Sequence, residues 1–392
     1  MRARVPGMGS DGLRIAFIAQ EFPPDLGGRH VYNSEYAQRL AERGHELRLL
    51  TWETGAEGAA ASDAALPFEV YRERLDRSRG PIDPQGVEDA LARWRSQVAF
   101  VSGGCRAVSR VVHAAARRAP VVVSVHDLRD KGRARGRLRR WRARRRYGFE
   151  RAARLTANSR HTRAILLRLG VPAQKIEVVY PGVDTHSFLP NAEAGARLRR
   201  ELGLENRRIL LTVSRLAPNK GHARVIEALP RLCQEIPQLV YAIVGYGDLR
   251  QALEQRATQL GVADRVLFAE RVPDVRIWYN ACDVFVMAST TTGRGLKAGE
   301  GFGMAYAEAG ACGKPVVAST SGGGVEVVVD GETGRIVDAE DDGALFTTLR
   351  ALLVDPERAR ALGEKAREHV QRFDWSYGAV ELERVLREAA GS

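Results

Sequence analysis

Two glutamates, Glu300 and Glu308, stand eight positions apart in the stretch EGFGMAYAEAGACGKP, residues 300–315, with Gly301, Phe302 and Gly303 directly after the first. If a helix begins near Gly303 and ends at Gly313, before Lys314 and Pro315, Glu300 precedes it and Glu308 lies in its second turn. Eight helical residues span about 12 Å. The amides of Gly301 to Met304 fall between the two carboxylates. A helix N-terminus holds phosphate through such amides and through its dipole, and glycine lets the backbone come close. Carboxylates accept hydrogen bonds from pairs of hydroxyls. The stretch makes sense as a clamp, with hydroxyls at each end and a diphosphate in the middle. The spacing also fits an ordinary helix with one exposed glutamate and one capping residue.

A diphosphate also needs cations. SRLAPNKG, residues 214–221, supplies Arg215 and Lys220. A fixed guanidinium and ammonium can neutralise a leaving diphosphate, although an isolated Arg-x4-Lys pair is also common surface charge. Other residues able to do chemistry are Gly27 and Gly28, His126 and Asp127, and Gly245 and Gly247.

The elements that must carry them alternate strand with helix. Apolar runs at 13–20, 45–53, 97–103, 119–127 and 176–184 read as strands, and Tyr32, Tyr36, Ala37, Leu40 and Ala41 share one face of a helix that stops at Gly44. After a polar stretch at 186–208 the pattern starts afresh. It runs through strands at 208–215, 239–245, 265–270, 283–289 and 314–320, helices at 221–236 and 248–260, and a last helix at 373–390. Such alternation predicts an α/β fold with parallel sheets covered on both faces. Two successive systems predict two Rossmann-like domains, 1–190 and 191–372, with a terminal helix at 373–392 packing back on the first. Ligands bind beyond the carboxyl ends of strands in such sheets, and the residues singled out follow those ends. If the two rims face each other, they line one cleft.

Composition narrows the classes. With 44% apolar and 28% charged residues the chain is globular, and no apolar run approaches the roughly 20 residues of a membrane span. Cys105, Cys233, Cys282 and Cys312 are scattered without a CxxC pair, which predicts reduced thiols in a cytoplasmic protein and neither a disulfide framework nor a zinc site. The net charge of +12 is concentrated: residues 129–154 hold 13 basic and 2 acidic residues, and the rest of the chain is nearly neutral.

Taken together, these residues resemble the retaining glycosyltransferases of family four, which have the GT-B fold: two Rossmann-like domains facing each other across a cleft. EGFGMAYAEAGACGKPVV is similar to the family's E-x7-E segment, SRLAPNKG to its Arg/Lys loop and PDLGGRHVYNSEYAQRLAERGHEL to its N-terminal Gly-Gly loop and helix. SVHD, NSRHTR, VYPGVDTHSF and SGGGVEVVVDGETGRIV follow in the family's order, so the likeness covers nearly the whole chain. The resemblance implies a nucleoside-diphosphate sugar as donor and no metal or other cofactor. It implies that Glu308 holds the donor ribose and that Glu300 contacts the sugar hydroxyls. It implies that Arg215 and Lys220, with the amides of Gly28 and Gly301 to Met304, hold the diphosphate. His126 would lie by the sugar ring. Arg271 and Val272, in ERVPD at 270–274, would meet the nucleobase, and Gly27 and Gly245 would border the donor. The implied mechanism is front-face substitution with retention, in which a donor phosphate oxygen takes the acceptor proton. There are departures. Ser214 stands where the family often has glycine, and STTTGRGLKAG at 289–299 is longer than the usual link, bringing Arg294 and Lys297.

The arginine-rich segment predicts a helix over 133–149, with Ala134, Leu138, Trp141 and Phe149 on one side. Basic amphipathic helices read as membrane-surface elements. Contact with an anionic bilayer at the inner face of the membrane, or with an anionic acceptor, is expected here; a plain solvated helix is the alternative, and nucleic acid is not expected, because the interleaved aromatics are few. Two other functions fit less of the sequence: a different GT-B activity such as nucleotide-sugar epimerisation, and a membrane- or nucleic-acid-binding protein with a degenerate cleft.

Overall fold

The computed structural model describes residues 12–24, 27–53, 59–74, 83–103, 106–126, 128, 136–270, 272–290 and 299–391. The chain divides into two compact units, Met1–Gly182 with Trp375–Ser392, and Val183–Asp374.

The first unit is built on a parallel sheet of β1 (Arg14–Ala19), β2 (Glu46–Glu53), β3 (Glu69–Arg74), β4 (Val98–Ser102), β5 (Val121–Val125), β6 (Arg154–Ala157) and β7 (Ile176–Val178), in the order β3-β2-β1-β4-β5-β6-β7. VAFVS in β4 and VVVSV in β5 are buried at every position, as expected of strands covered on both faces. Register sets Phe17 against Phe100, with ring centroids 4.8 Å apart. The helix Gly28–Glu42 buries Tyr32, Tyr36 and Leu40, spaced four apart.

The second unit is a parallel sheet of β8 (Arg208–Val213), β9 (Leu239–Val244), β10 (Val266–Ala269), β11 (Val284–Val286), β12 (Val316–Ser319) and β13 (Gly334–Val337), in the order β10-β9-β8-β11-β12-β13. Ile226, Leu229 and Leu232 of the helix His222–Glu235 join Leu210, Tyr241 and Ile243 in its core. Asp341 and Asp342 are exposed; Asp341 caps the helix Asp342–Val354 by accepting from the Ala344 amide at 2.8 Å, and Asp342 pairs with Arg224 at 2.7 Å.

Residues 183–190, assigned from sequence to the first domain, are held by the second unit. Val183 N donates to Phe373 O at 2.9 Å, Thr185 Oγ1 donates to Asp374 at 2.8 Å, and Asn280 Nδ2 donates to Leu189 O at 3.0 Å. The terminal helix Trp375–Ala390 belongs to the first unit. Its buried Trp375 meets Tyr36 edge-on at 5.3 Å, and Glu383 pairs with Arg43 and Arg387.

The arginine segment is helical over Arg137–Tyr147, and residues 133–135 lie outside the described residues. The expected common apolar side does not form. Gly148, at φ 72°, ends the helix and breaks its phase. Phe149 therefore turns into the core at 2% exposure, while Leu138 and Trp141 remain outside at 59% and 45%. Arg144 has a structural role: its Nη1 donates to Leu169 O at 3.1 Å and Gly170 O at 2.9 Å, closing the end of the helix Arg160–Arg168.

Candidate functional site

The second unit gathers Arg215, Lys220, Gly245, Glu300 and the start of the Glu308 helix at the carboxyl end of its strands. The helix runs Met304–Ala311, with Gly303 (φ 91°) at its N-cap and no capping side chain among the described residues. Its first amides are therefore left for a ligand or water. Gly301 lies ahead of it, and Phe302 is buried edge-on against Phe373 at 5.4 Å.

Glu300 is held by backbone on both sides. Its N–H donates to Ser321 O at 3.1 Å, and its carbonyl accepts from Gly323 N at 2.7 Å. The chain passes so close that a Cβ on Gly322 (φ 97°) would lie 2.1 Å from Glu300 O. Only glycine fits there. The Glu300 carboxylate accepts from Lys220 Nζ, and both side chains are largely buried. The Lys220 ammonium thus stands against the carboxylate expected to read sugar hydroxyls.

Lys220 and Arg215 ride on the loop after β8. That loop is pinned by Leu216 N to Tyr246 O at 2.9 Å and by Thr290 N to Asn219 O at 3.0 Å. The Arg215 guanidinium is exposed and has no side-chain partner among the described residues. Gly245 follows β9 and packs directly on this loop: a Cβ there would lie 1.9 Å from Ser214 O. Its contribution is to let the Arg215 backbone come close.

Glu308 is partly buried, and Tyr279 Oη donates to its Oε2 at 2.6 Å. Burial raises its carboxyl above the usual glutamate range, and the Tyr279 bond acts in the opposite direction. The fold therefore favours the protonated carboxyl. That contribution to stability is full below the ordinary glutamate range and is lost as pH rises through the folded-state value. Glu308→Gln keeps an acceptor for Tyr279 without the charge. Its melting temperature relative to wild type should rise between about pH 4 and pH 8. Thermal melts at both pH values check this, and a constant difference would show that Glu308 ionises without penalty.

Val272 is half-buried just ahead of the helix Val275–Ala281, which Asp274 caps at the Arg276 amide. Arg271, Asp127, Cys105, Arg294 and Lys297 lie outside the described residues.

Gly27, Gly28 and His126 belong to the first unit. Gly27 (φ 153°) precedes the helix that begins at Gly28, again with no capping side chain among the described residues. His126 follows β5 and is buried at 7% exposure. Its Nε2 lies 3.1 Å from Ser124 Oγ and 3.4 Å from Ser102 Oγ, and its carbonyl accepts from Asn158 Nδ2 at 3.1 Å. Tyr32 meets the ring edge-on at 4.2 Å and reaches Ser124 Oγ at 2.9 Å. Burial, with the nearby Arg29 charge, holds the imidazole down to about 3. At neutral pH His126 is an uncharged hydrogen-bonding group.

Sequence reasoning missed the partners that fix these residues: Tyr32, Ser124 and Asn158 around His126, Tyr279 on Glu308, and Ser321 to Gly323 around Glu300. Tyr32 and Tyr279 carry no sequence signal beyond an apolar face, because their hydroxyls act through contacts distant along the chain. Among the described residues no three His, Cys, Asp or Glu side chains could share a metal ion, and no helix is long and apolar enough to cross a membrane.

Comparison with known proteins bears on the whole chain. Residues 26–187 match the family described as Glycosyltransferase Family 4, and residues 196–369 match Glycosyl transferases group 1. The GDP-mannose-dependent alpha-(1-6)-phosphatidylinositol monomannoside mannosyltransferase of Mycolicibacterium smegmatis is 35% identical over 382 residues, covering 95% of this chain and 98% of the relative. The D-inositol 3-phosphate glycosyltransferase of Xylanimonas cellulosilytica is 31% identical, covering 97% and 98%. Among solved structures, Anabaena HepE in complex with UDP superposes with a TM-score of 0.79 at 23% identity, covering 96% of this chain and 100% of that one. Sucrose-phosphate synthase from Thermosynechococcus elongatus gives 0.78 at 23% identity, covering 97% and 100%. These two show the GT-B fold.

Proposed function

Because the chain belongs to glycosyltransferase family 4, and so moves sugar from a nucleotide-sugar donor to an acceptor, we propose that its donor is GDP-mannose and its acceptor an inositol-bearing, lipid-linked molecule. The observation that carries this is the 35% identity, end to end, with a GDP-mannose-dependent enzyme acting on phosphatidylinositol monomannoside.

The second unit supplies the chemistry. Glu308 receives the ribose hydroxyls, and the uncapped amides from Gly301 to Met304 receive the diphosphate. Arg215 and Lys220 offset the charge that grows on the leaving GDP, so no metal is required. Lys220 already sits on Glu300. A bound donor would place its β-phosphate and its sugar hydroxyls on opposite sides of that pair, keeping both ions neutralised. As the glycosidic bond breaks, the sugar becomes oxocarbenium-like, and a phosphate oxygen accepts the acceptor proton on the same face. The product keeps the alpha configuration. His126, uncharged, serves by hydrogen bonding.

The helix Arg137–Tyr147 supports a location at an anionic membrane surface in the cytoplasm. Leu138 and Trp141 are exposed among the exposed Arg140, Arg142, Arg145 and Arg146. Each basic residue near such a surface contributes about 1 kcal/mol. Arg142→Glu with Arg146→Glu should cut binding to phosphatidylinositol-containing vesicles at least tenfold and leave GDP binding unchanged. Equal vesicle binding by wild type and variant would remove this helix from the membrane.

The test of the whole proposal is transfer from GDP-mannose to phosphatidylinositol mannoside in vesicles, with chelator present and the product linkage read by NMR. An alpha-linked product supports it. Preference for UDP-glucose, a beta linkage or a divalent requirement would overturn the corresponding part.

A further inference from the structure

A line of buried polar side chains runs beneath the Arg215–Lys220 loop, and sugar transfer as described above makes no use of it. Thr212, Tyr241 and His222 are 1%, 0% and 2% exposed. Thr212 Oγ1 donates to Val286 O. Tyr241 Oη lies 2.7 Å from Thr212 Oγ1 and 3.4 Å from His222 Nδ1. His222 Nε2 lies 3.0 Å from Ser214 Oγ. Ser214 directly precedes Arg215.

Counting protons gives the line a direction. A carbonyl only accepts, so Thr212 spends its one proton on Val286. Tyr241 must then donate to Thr212 and can only accept from the ring. His222 therefore carries its proton on Nδ1. Its Nε2 is left as an acceptor, which the Ser214 hydroxyl fills. The ring is neutral at physiological pH, because burial holds it down to about 4. The Arg215 carbonyl lies 3.3 Å from both the Ser214 hydroxyl and Nε2; the single hydroxyl proton goes to the nearer acceptor, Nε2, and the ring would donate to the carbonyl only with a proton on Nε2.

We propose that Ser214 and His222 form a positioning pair that anchors the Arg215–Lys220 loop to β9 and β11 through Tyr241 and Thr212, and so holds its two cations in place for a nucleoside diphosphate. The pair acts through the loop and touches no reacting atom. This rests on the assignment of Arg215 and Lys220 to the diphosphate, and the test separates the two ideas.

Calorimetric titration with GDP is made on wild type, Arg215→Ala, Ser214→Ala, His222→Ala and His222→Gln, well below each melting temperature, and 15N imidazole spectra are recorded on the wild type. Loss of a tether of this kind should weaken GDP binding about five- to tenfold in Ser214→Ala. His222→Gln, whose amide oxygen can still accept from Ser214, should recover part of that affinity relative to His222→Ala. The spectra should show the Nδ1–H tautomer. If Arg215→Ala leaves GDP affinity unchanged, the diphosphate assignment fails. If Arg215→Ala weakens binding but Ser214→Ala does not, even with a lowered melting temperature, the positioning pair is overturned alone. The Nε2–H tautomer would also overturn it. Ser214 is only half-buried, so its variant keeps the test usable should His222→Ala fail to fold.

Discussion

Glu300→Gln should lower kcat for sugar transfer by about 10²- to 10³-fold, the range seen when one preorganised polar group is removed from a charge-developing site. The substitution preserves shape. The backbone bonds from Glu300 N to Ser321 and from Gly323 to Glu300 O do not involve the side chain, so the fold around position 300 should stand. The charge is what is lost. Lys220 then has no carboxylate to share and shifts wholly to the diphosphate. Donor KM should therefore change little while kcat falls, the pattern of an interaction realised mainly in the transition state. Steady-state kinetics with GDP-mannose measure both. An unchanged kcat would show that Glu300 does not face the reacting sugar.

Gly245→Ala should be among the most damaging single-methyl changes in the second unit. The new Cβ would meet Ser214 O at 1.9 Å, and that atom is backbone, fixed by the bond from Ser214 N to Val244 O at 3.0 Å. No side-chain rotation relieves the clash, and φ at 150° is unfavourable for alanine as well. The loop with Arg215 must move. A loss of about 2–4 kcal/mol is expected, together with weaker GDP binding. Gly261→Ala is the control: its φ is also positive, at 68°, but the space around it is open, so only the backbone term of about 1–2 kcal/mol should appear. Urea melts of both variants make the comparison. Equal losses would mean that the Gly245 contact is not needed to hold the loop.

Much of the fold was legible because buried parallel strands are continuous apolar runs. VVVSV and LVYAIV are unmistakable. The strands that went unread, EVYRER (β3), RLTA (β6) and GRIV (β13), are polar or only four residues long, and β3 and β13 lie at sheet edges where one side needs no partner. The arginine helix was misjudged at one point: periodicity carried Phe149 onto the face of Trp141 because Gly148 was not taken as a stop. In the candidate site, Glu300, Glu308 and the intervening glycines could be found because they share one local stretch. What fixes them could not. Lys220 lies 80 positions from Glu300, Tyr279 lies 29 from Glu308, and Tyr32 lies 92 from Ser124. No periodicity encodes such contacts. The boundary near residue 182 was hidden for the same reason, since residues 183–190 are held by hydrogen bonds that they donate to Phe373 and Asp374 and accept from Asn280.

Calorimetric titration of the protein with GDP in the presence of chelator, repeated on Arg215→Ala, tests the donor site most directly. Metal-free binding in the micromolar range, weakened at least tenfold by Arg215→Ala, is the predicted result. Absence of GDP binding without a divalent cation, or binding indifferent to Arg215, would contradict the assignment of the diphosphate to the Arg215–Lys220 loop.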